Sequence, residues 1–189
     1  MGKKLKAGEK FPALSLNNIH GAPVEIPDLG GRWTHLQFRR FAGCPVCNLH
    51  LQPFIKCHGE LERGGIREVV LFHSGNEELL AYQGRFPFDV IGDPEKDLYR
   101  RFGVETSIWA VLDPRGWGAA VRSNVVKDNP TAGRDKKHGI FGLPADFIIA
   151  PDATITAAHY GTYGYDQWEF DEVVQKVRAG RALFERRVA

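Results

Sequence analysis

Short runs of branched and aromatic residues alternate along this chain with stretches in which apolar positions recur every three or four residues, the pattern of strands and helices laid out in turn. Trp33 to Phe41 reads as a buried strand. From Pro45 the apolar positions Val46, Leu49, Phe54 and Leu61 recur at near-helical spacing, with Pro53 expected to kink the helix and Gly64-Gly65 to end it. A strand follows from Ile66 to His73. Asn76 is placed to cap a helix through Glu77, Leu79, Leu80 and Tyr82, and Phe86 to Ile91 reads as a further strand. Asp93-Pro94-Glu95 opens a short helix with Leu98, Tyr99 and Phe102 on one side, its acidic start and Arg100-Arg101 near its end suiting the helix dipole. Ile108 to Leu112 reads as a strand. Asp113 to Gly139, polar and rich in glycine, proline and charge, reads as a long loop or insertion holding one strand at Ala119 to Val126. Ala145 to Ile149 and Thr154 to His159 form an antiparallel hairpin around Pro151-Asp152, and Asp166 begins a final amphipathic helix through Phe170, Val173, Val174 and Val177. This order predicts an α/β fold in one domain spanning residues 1–189, with no internal repeat.

Where the first long strand ends and the first long helix begins stands Phe41-Ala42-Gly43-Cys44-Pro45-Val46-Cys47-Asn48-Leu49-His50. Pro45 suits the first helical position because its missing N–H would be orphaned there, which makes Cys44 the N-cap and Cys47 a first-turn residue. Both sulfurs then lie at the positive end of the helix dipole, where a thiolate is favoured and its pKa falls below the free value of about 8.5. Residues three apart on a helix are neighbours, so the two sulfurs can close a disulfide and reopen it. Two other readings compete: structural cysteines in a binding module, or metal ligands with His50 completing Cys-x-x-Cys-x-x-His. A zinc site usually needs four ligands and no second paired motif occurs, so no metal and no cofactor are expected. His50 alone reads as a packing or helix-surface residue.

Composition narrows the setting. With 25 basic and 23 acidic residues there is no electrostatic case for nucleic acid. The basic surplus of residues 113–139 reads as a solvated loop. The basic start, Met1 to Lys10, is followed by no apolar core of a secretory signal, and no run is long enough to span a membrane. Three cysteines are too few for a disulfide-stapled secreted scaffold and fit a catalytic pair in a reducing cytoplasm. Cys57, ten positions beyond Cys47 and so about 15 Å along a continuous helix, is out of disulfide reach and reads as a small buried apolar residue.

In this order the pieces resemble the peroxiredoxin-like branch of the thioredoxin superfamily, close to the alkyl hydroperoxide reductase and thiol-specific antioxidant proteins. The resemblance is carried by Lys6 to Pro12, by Phe41 to Cys47, by Asp93 to Val104 and by Gly142 to Asp152. It implies a thioredoxin-like fold, a central mixed sheet flanked by helices, and a long insertion before the late hairpin. It implies further that Leu143-Pro144 is a cis peptide and that Pro144 lies against the redox cysteines, offering an edge on which an extended substrate pairs. The chain also departs from the family pattern, which has a proline seven residues and a threonine or serine three residues before the peroxide-attacking cysteine. With Cys47 in that place, Arg40 and Cys44 stand there instead. The arginine usually found before the Phe147 strand is absent as well; Arg39 or Arg40 substitutes for it, unless both are only strand-end charges.

The site residues expected are therefore Cys44, Cys47, Pro144 and Arg40. One first-turn thiolate attacks a sulfur or a hydroperoxide oxygen and the other cysteine resolves the product as a disulfide. Cys44 is the stronger nucleophile by its capping position, whereas the peroxiredoxin register points to Cys47, and both assignments stand. Because the usual hydroxyl is missing, disulfide exchange is better supported than hydroperoxide turnover. The partners expected are a thioredoxin- or glutathione-like thiol donor and a disulfide or hydroperoxide substrate, with a homodimer as the assembly to consider.

Overall fold

The computed structural model describes residues 2–126 and 141–188. Strands β1 (Leu14–Asn17) and β2 (Pro23–Ile26) form a small antiparallel hairpin. The main sheet has five strands, β3 (Trp33–Arg39), β4 (Ile66–Phe72), β5 (Asp89–Gly92), β6 (Ala145–Ile149) and β7 (Ile155–Tyr160), in the order β5-β4-β3-β6-β7. β3, β4 and β5 run parallel, while β6 and β7 are antiparallel to their neighbours, which makes the sheet mixed. The helices are α1 (Pro45–Lys56), α2 (His58–Arg63), α3 (Asn76–Gln83), α4 (Asp97–Arg101), α5 (Trp109–Leu112), α6 (Trp117–Val125) and α7 (Phe170–Val188). None of the described helices is long and apolar enough to cross a membrane.

β3 is buried along its whole length, having strands on both sides and side chains packed on both faces. One face carries Leu36 and Phe38 into a core shared with Phe11, Leu71, Phe102 and Phe147. The other face belongs to the core of Leu51, Phe54, Phe72, Val173 and Val177 beneath α1 and α7, and there β3 presents His35, Gln37 and Arg39, three polar side chains with 0 % exposure.

Most predicted elements lie where their patterns place them, and the exceptions have physical causes. Ile108 to Leu112 is not a strand: residues 109–112 form α5. Ala119 to Val126 is not a strand either, and residues 114–125 form a 3₁₀ turn and α6 rather than a loop. The branched residues there suggested extended chain, but the buried positions Ala119 and Ser123 are four apart, a helical period, and these small side chains let α6 pack on α1. Trp117, Val121 and Val125 are left exposed. The remainder of the expected insertion, residues 127–139, lies outside the described residues. β5 is shorter than expected and the last helix starts at Phe170 rather than Asp166, because Asp166 accepts from the Thr162 N–H and from His159 in the preceding turn. The helix expected to open at Asp93-Pro94-Glu95 begins at Asp97 instead, its first N–H groups, those of Asp97, Leu98 and Tyr99, donating to the Asp93 carboxylate. The Pro53 break is displaced to Cys57, whose N–H donates to the Pro53 carbonyl at 2.9 Å. Cys57 is half-buried at that joint rather than buried.

Leu143-Pro144 is trans, since Ile26-Pro27 is the one cis peptide among the described residues. The strand edge expected for a substrate is also in use. Leu143 N–H donates to the Glu105 carbonyl at 3.0 Å, and the Pro144 carbonyl accepts from Gly161 N–H at 2.9 Å.

Candidate active site

β3 delivers its last residues to a tight turn. Gly43 adopts φ 65°, a left-handed conformation that costs a side-chain-bearing residue energy, and this aims Cys44 at the start of α1. Ser74, just beyond β4, accepts the Ala42 N–H at 3.0 Å and fixes the turn from the side. Cys44 is the N-cap and Pro45 follows it; Cys44 Sγ accepts from the Cys47 N–H at 3.4 Å, the cap expected from the spacing. Both thiols are free and buried, Cys44 at 0 % and Cys47 at 2 % exposure. A cavity of about 330 Å³ adjoins Cys44. Its polar side chains are those of Arg40, Cys44 and Tyr165, with the Trp117 indole also lining it; the rest of its wall is apolar, from Phe41, Val46 and Ala110 among others.

Arg40 sets the charge of the pair. It is 7 % exposed, and its guanidinium and backbone N–H are hydrogen-bonded to the Cys47 sulfur. Burial alone would raise the Cys47 pKa, but the Cys44 S–H, the Arg40 charge and these two Arg40 donors together bring it down to about 5. Burial pushes Cys44 up, as do the proton it shares with Cys47 and the Cys47 charge, with Arg40 opposing them. The two sulfurs thus hold one proton at neutral pH, resting on Cys44 beside a Cys47 thiolate.

Two glycines let backbone close around Arg40. A Cβ on Gly142 would lie 3.4 Å from Arg40 Cγ and 2.9 Å from His73 Nε2, and one on Gly164 would lie 2.2 Å from the Ala110 carbonyl oxygen and 3.4 Å from Arg40 Nη1. Gly164→Ala is therefore expected to cost about 1–3 kcal/mol, because the 2.2 Å approach is to backbone that cannot rotate away. Denaturant unfolding measures this; an unchanged midpoint would show that the 161–169 loop moves freely and does not hold Arg40.

Arg39 faces the opposite way, into an ion cluster that sequence reasoning missed. Its guanidinium donates to Asp146 at 2.6 Å, and its Nη2 lies 3.3 Å from His50 Nε2. His35 Nδ1 is 2.8 Å from Glu68 and its Nε2 3.3 Å from Asp146, while Gln37 donates to Glu68 at 2.5 Å. Register explains the convergence: His35 pairs with Glu68 across to β4, and Gln37 pairs with Asp146 across to β6. Burial by itself would lower the His35 pKa, but Glu68 and Asp146 raise it to about 9. Asp146 is held well below the carboxylate range; burial opposes this and Arg39 and His35 outweigh it. Burial, with Arg39 nearby, keeps His50 neutral. The nitrogens of His50 face Arg39 and Glu169, and no cluster of histidine, cysteine and carboxylate suited to a metal occurs among the described residues, so the Cys44, Cys47, His50 ligand set is not assembled. The signal for the ion cluster was present as three polar residues at every second position of an otherwise apolar strand.

Of the expected site residues, Cys44, Cys47 and Arg40 come together. Pro144 is buried and engaged with Gly161, and Gly142 packs close to the Arg40 side chain. The model of the AhpC/TSA family matches residues 7–158. Among solved structures, Enterococcus faecalis AhpC is similar with a TM-score of 0.68 at 17 % identity, covering 97 % of this chain and 96 % of that one. The peroxidoxin BcpB of Mycobacterium tuberculosis gives 0.66 at 15 %, covering 93 % and 97 %. A yeast mitochondrial 1-Cys peroxiredoxin, described for thiol resolution via glutathione/thioredoxin systems, gives 0.65 at 16 %, covering 96 % and 78 %. At such identities these structures show a shared fold. No curated protein matches the sequence.

Proposed function

The chain belongs to the AhpC/TSA family of thiol-based oxidoreductases, and from that premise we propose that Cys44 and Cys47 are its redox pair, cycling between a dithiol and an intramolecular disulfide. The observation that carries this reading is the geometry of the pair, Cys44 as N-cap of α1 with its Sγ 3.4 Å from the Cys47 N–H and the buried Arg40 beside both. Cys44 borders the cavity, so it is the sulfur an incoming disulfide meets. Cys47, already anionic, takes the Cys44 proton as Cys44 attacks; a new S–S bond forms, the substrate S–S bond breaks, and one thiolate leaves. Cys47 then attacks the mixed disulfide, and the second leaving sulfur takes the proton Cys47 held and departs as a thiol, closing Cys44–Cys47.

Disulfide exchange is the favoured activity and hydroperoxide reduction the second, because Cys44 stands where the family pattern has a hydroxyl. A thioredoxin- or glutathione-like thiol in a reducing compartment such as the cytoplasm would return the disulfide to the dithiol. Trapping tests the order of attack. Cys47→Ser should accumulate a mixed disulfide on Cys44, detected by mass spectrometry after reaction with glutathione disulfide, because removing the Cys47 charge lets Arg40 ionise Cys44. An adduct formed on Cys47 in Cys44→Ser but absent from Cys47→Ser would reverse the roles.

A further inference from the structure

The cavity beside Cys44 holds one hydroxyl-bearing side chain, and it comes from neither the cysteine turn nor the sheet. Tyr165, in the loop between β7 and α7, lines the same cavity as Cys44 and Arg40, and its hydroxyl is hydrogen-bonded to Glu169. Glu169 in turn lies 3.9 Å from His50 Nδ1, with its side chain 52 % exposed. The His50 ring meets Tyr165 edge-on at 5.9 Å, so the tyrosine is fixed from below. A path therefore runs from solvent through a carboxyl group to a phenol at the edge of the redox cavity.

We propose that Tyr165, backed by Glu169, donates the proton to the leaving oxygen when a hydroperoxide is reduced in the Cys44 cavity. The proposal rests on the reading of Cys44 and Cys47 as the redox pair. Cys44 sulfur, its proton passing to Cys47, attacks the distal peroxide oxygen; an S–O bond forms and the O–O bond breaks, oxidising sulfur by two electrons and reducing the peroxide by two. The departing alkoxide, or hydroxide from hydrogen peroxide, takes the Tyr165 proton, and solvent returns a proton to the phenolate by way of the half-exposed Glu169 carboxyl group. Cys47 then attacks the Cys44 sulfenic acid, closing the disulfide as the hydroxyl leaves with a proton as water. The phenol thus supplies a donor in place of the family hydroxyl whose position Cys44 occupies.

Burial and the neighbouring Glu169 push the Tyr165 phenol up to about 12, so it meets the leaving oxygen in its protonated form. The Glu169 pKa is raised by burial and by Glu172, against the Tyr165 hydrogen bond and the charges of Arg122 and Arg39, while His50 beside it is neutral. Disulfide exchange needs little of this help, because its leaving thiolate is a far weaker base than an alkoxide.

The test is stopped-flow oxidation of the reduced protein by hydrogen peroxide, cumene hydroperoxide and glutathione disulfide across pH 5 to 9. Tyr165→Phe should cut both peroxide rates by about 10²-fold, the usual span for loss of a general acid, and lower the ratio of peroxide to disulfide rate at least tenfold. Glu169→Gln, at a half-exposed position, should flatten the decline of the peroxide rate with rising pH. A Tyr165→Phe protein that slows all three oxidants equally, or none, overturns the proposal. So does a wild type that exchanges with the disulfide but is inert to both peroxides, an outcome that leaves the redox pair standing; a wild type inert to all three removes the pair as well.

Discussion

Replacing Arg39 by methionine is expected to lower the unfolding free energy by about 3–5 kcal/mol, a fall in midpoint of roughly 6–20 °C for a chain of this length. The loss comes from what remains rather than from what is removed. Asp146 is fully buried and takes its closest donor from Arg39 at 2.6 Å; without it the carboxylate keeps, among the described residues, only His35, 3.3 Å away, inside the core beneath α1. A second substitution separates this account from ordinary packing loss. In Arg39→Met/Asp146→Leu no uncompensated charge is left, so the double variant should recover most of the lost stability even though it lacks two native side chains. A double variant weaker than the single would show that shape, not charge, governs the site.

The same cluster fixes the direction of the pH response. The folded pKa of His35, about 9, lies above its unfolded value of about 6.5, so its contribution is complete below about pH 6.5 and disappears as pH rises through 9. Asp146 behaves oppositely: its folded pKa is depressed, its contribution is complete above the ordinary carboxylate range, and it is lost as pH falls below that range. The unfolding midpoint should therefore fall between pH 7 and 10 in the wild type, and this alkaline fall should shrink in Glu68→Gln, where the anion nearest His35 Nδ1 is gone.

How much of this was legible in the sequence depended on whether a feature is local. The cysteine cap was readable because strand, Cys-Pro-x-Cys and helix are consecutive, and the cap bond from Cys47 N–H to Cys44 Sγ is the one the spacing implies. The sheet strands were readable because their branched runs are buried on both faces. α5 and α6 were not, since Ile108, Val111, Val121 and Val125 carry a strand composition on helices whose buried sides are alanine and serine. The division of labour between Arg39 and Arg40 was also hidden. Adjacent residues on a strand point to opposite faces, so one meets Asp146 and the other the sulfurs, but which is which depends on the β3–β6 register. The contribution of Tyr165 lay further out of reach, because 118 residues separate it from Cys47 and only the folded chain closes the cavity between α1 and the loop after β7.

Arg40→Met is expected to move the thiolate titration from about 5 to above 8.5, followed by thiolate absorbance in the ultraviolet and by alkylation across pH. Burial of the sulfurs opposes ionisation throughout; removing the guanidinium leaves the Arg40 backbone N–H and the Cys44 S–H as the donors that resist it. A rate at pH 7 alone would hide the change. A rise of about 3.5 units in pKa reduces the thiolate fraction about thirtyfold there, yet a more basic thiolate is also a stronger nucleophile, with a Brønsted slope of about 0.4–0.5, which returns nearly the same factor. At pH 5.5 the balance breaks: the wild type stays largely ionised and the variant loses about a thousandfold in thiolate, so alkylation should slow by at least tenfold. The equilibrium moves as well. Arg40 stabilises the reduced pair about a hundredfold at pH 7 by lowering the pKa two units below ambient, and at about 30 mV per tenfold its loss should make the Cys44–Cys47 disulfide about 60 mV harder to reduce. Arg40→Lys, which keeps the charge but not the planar fork, should fall between the two proteins. A midpoint that stays near 5 in Arg40→Met would assign the low pKa to the helix terminus and the cap rather than to Arg40.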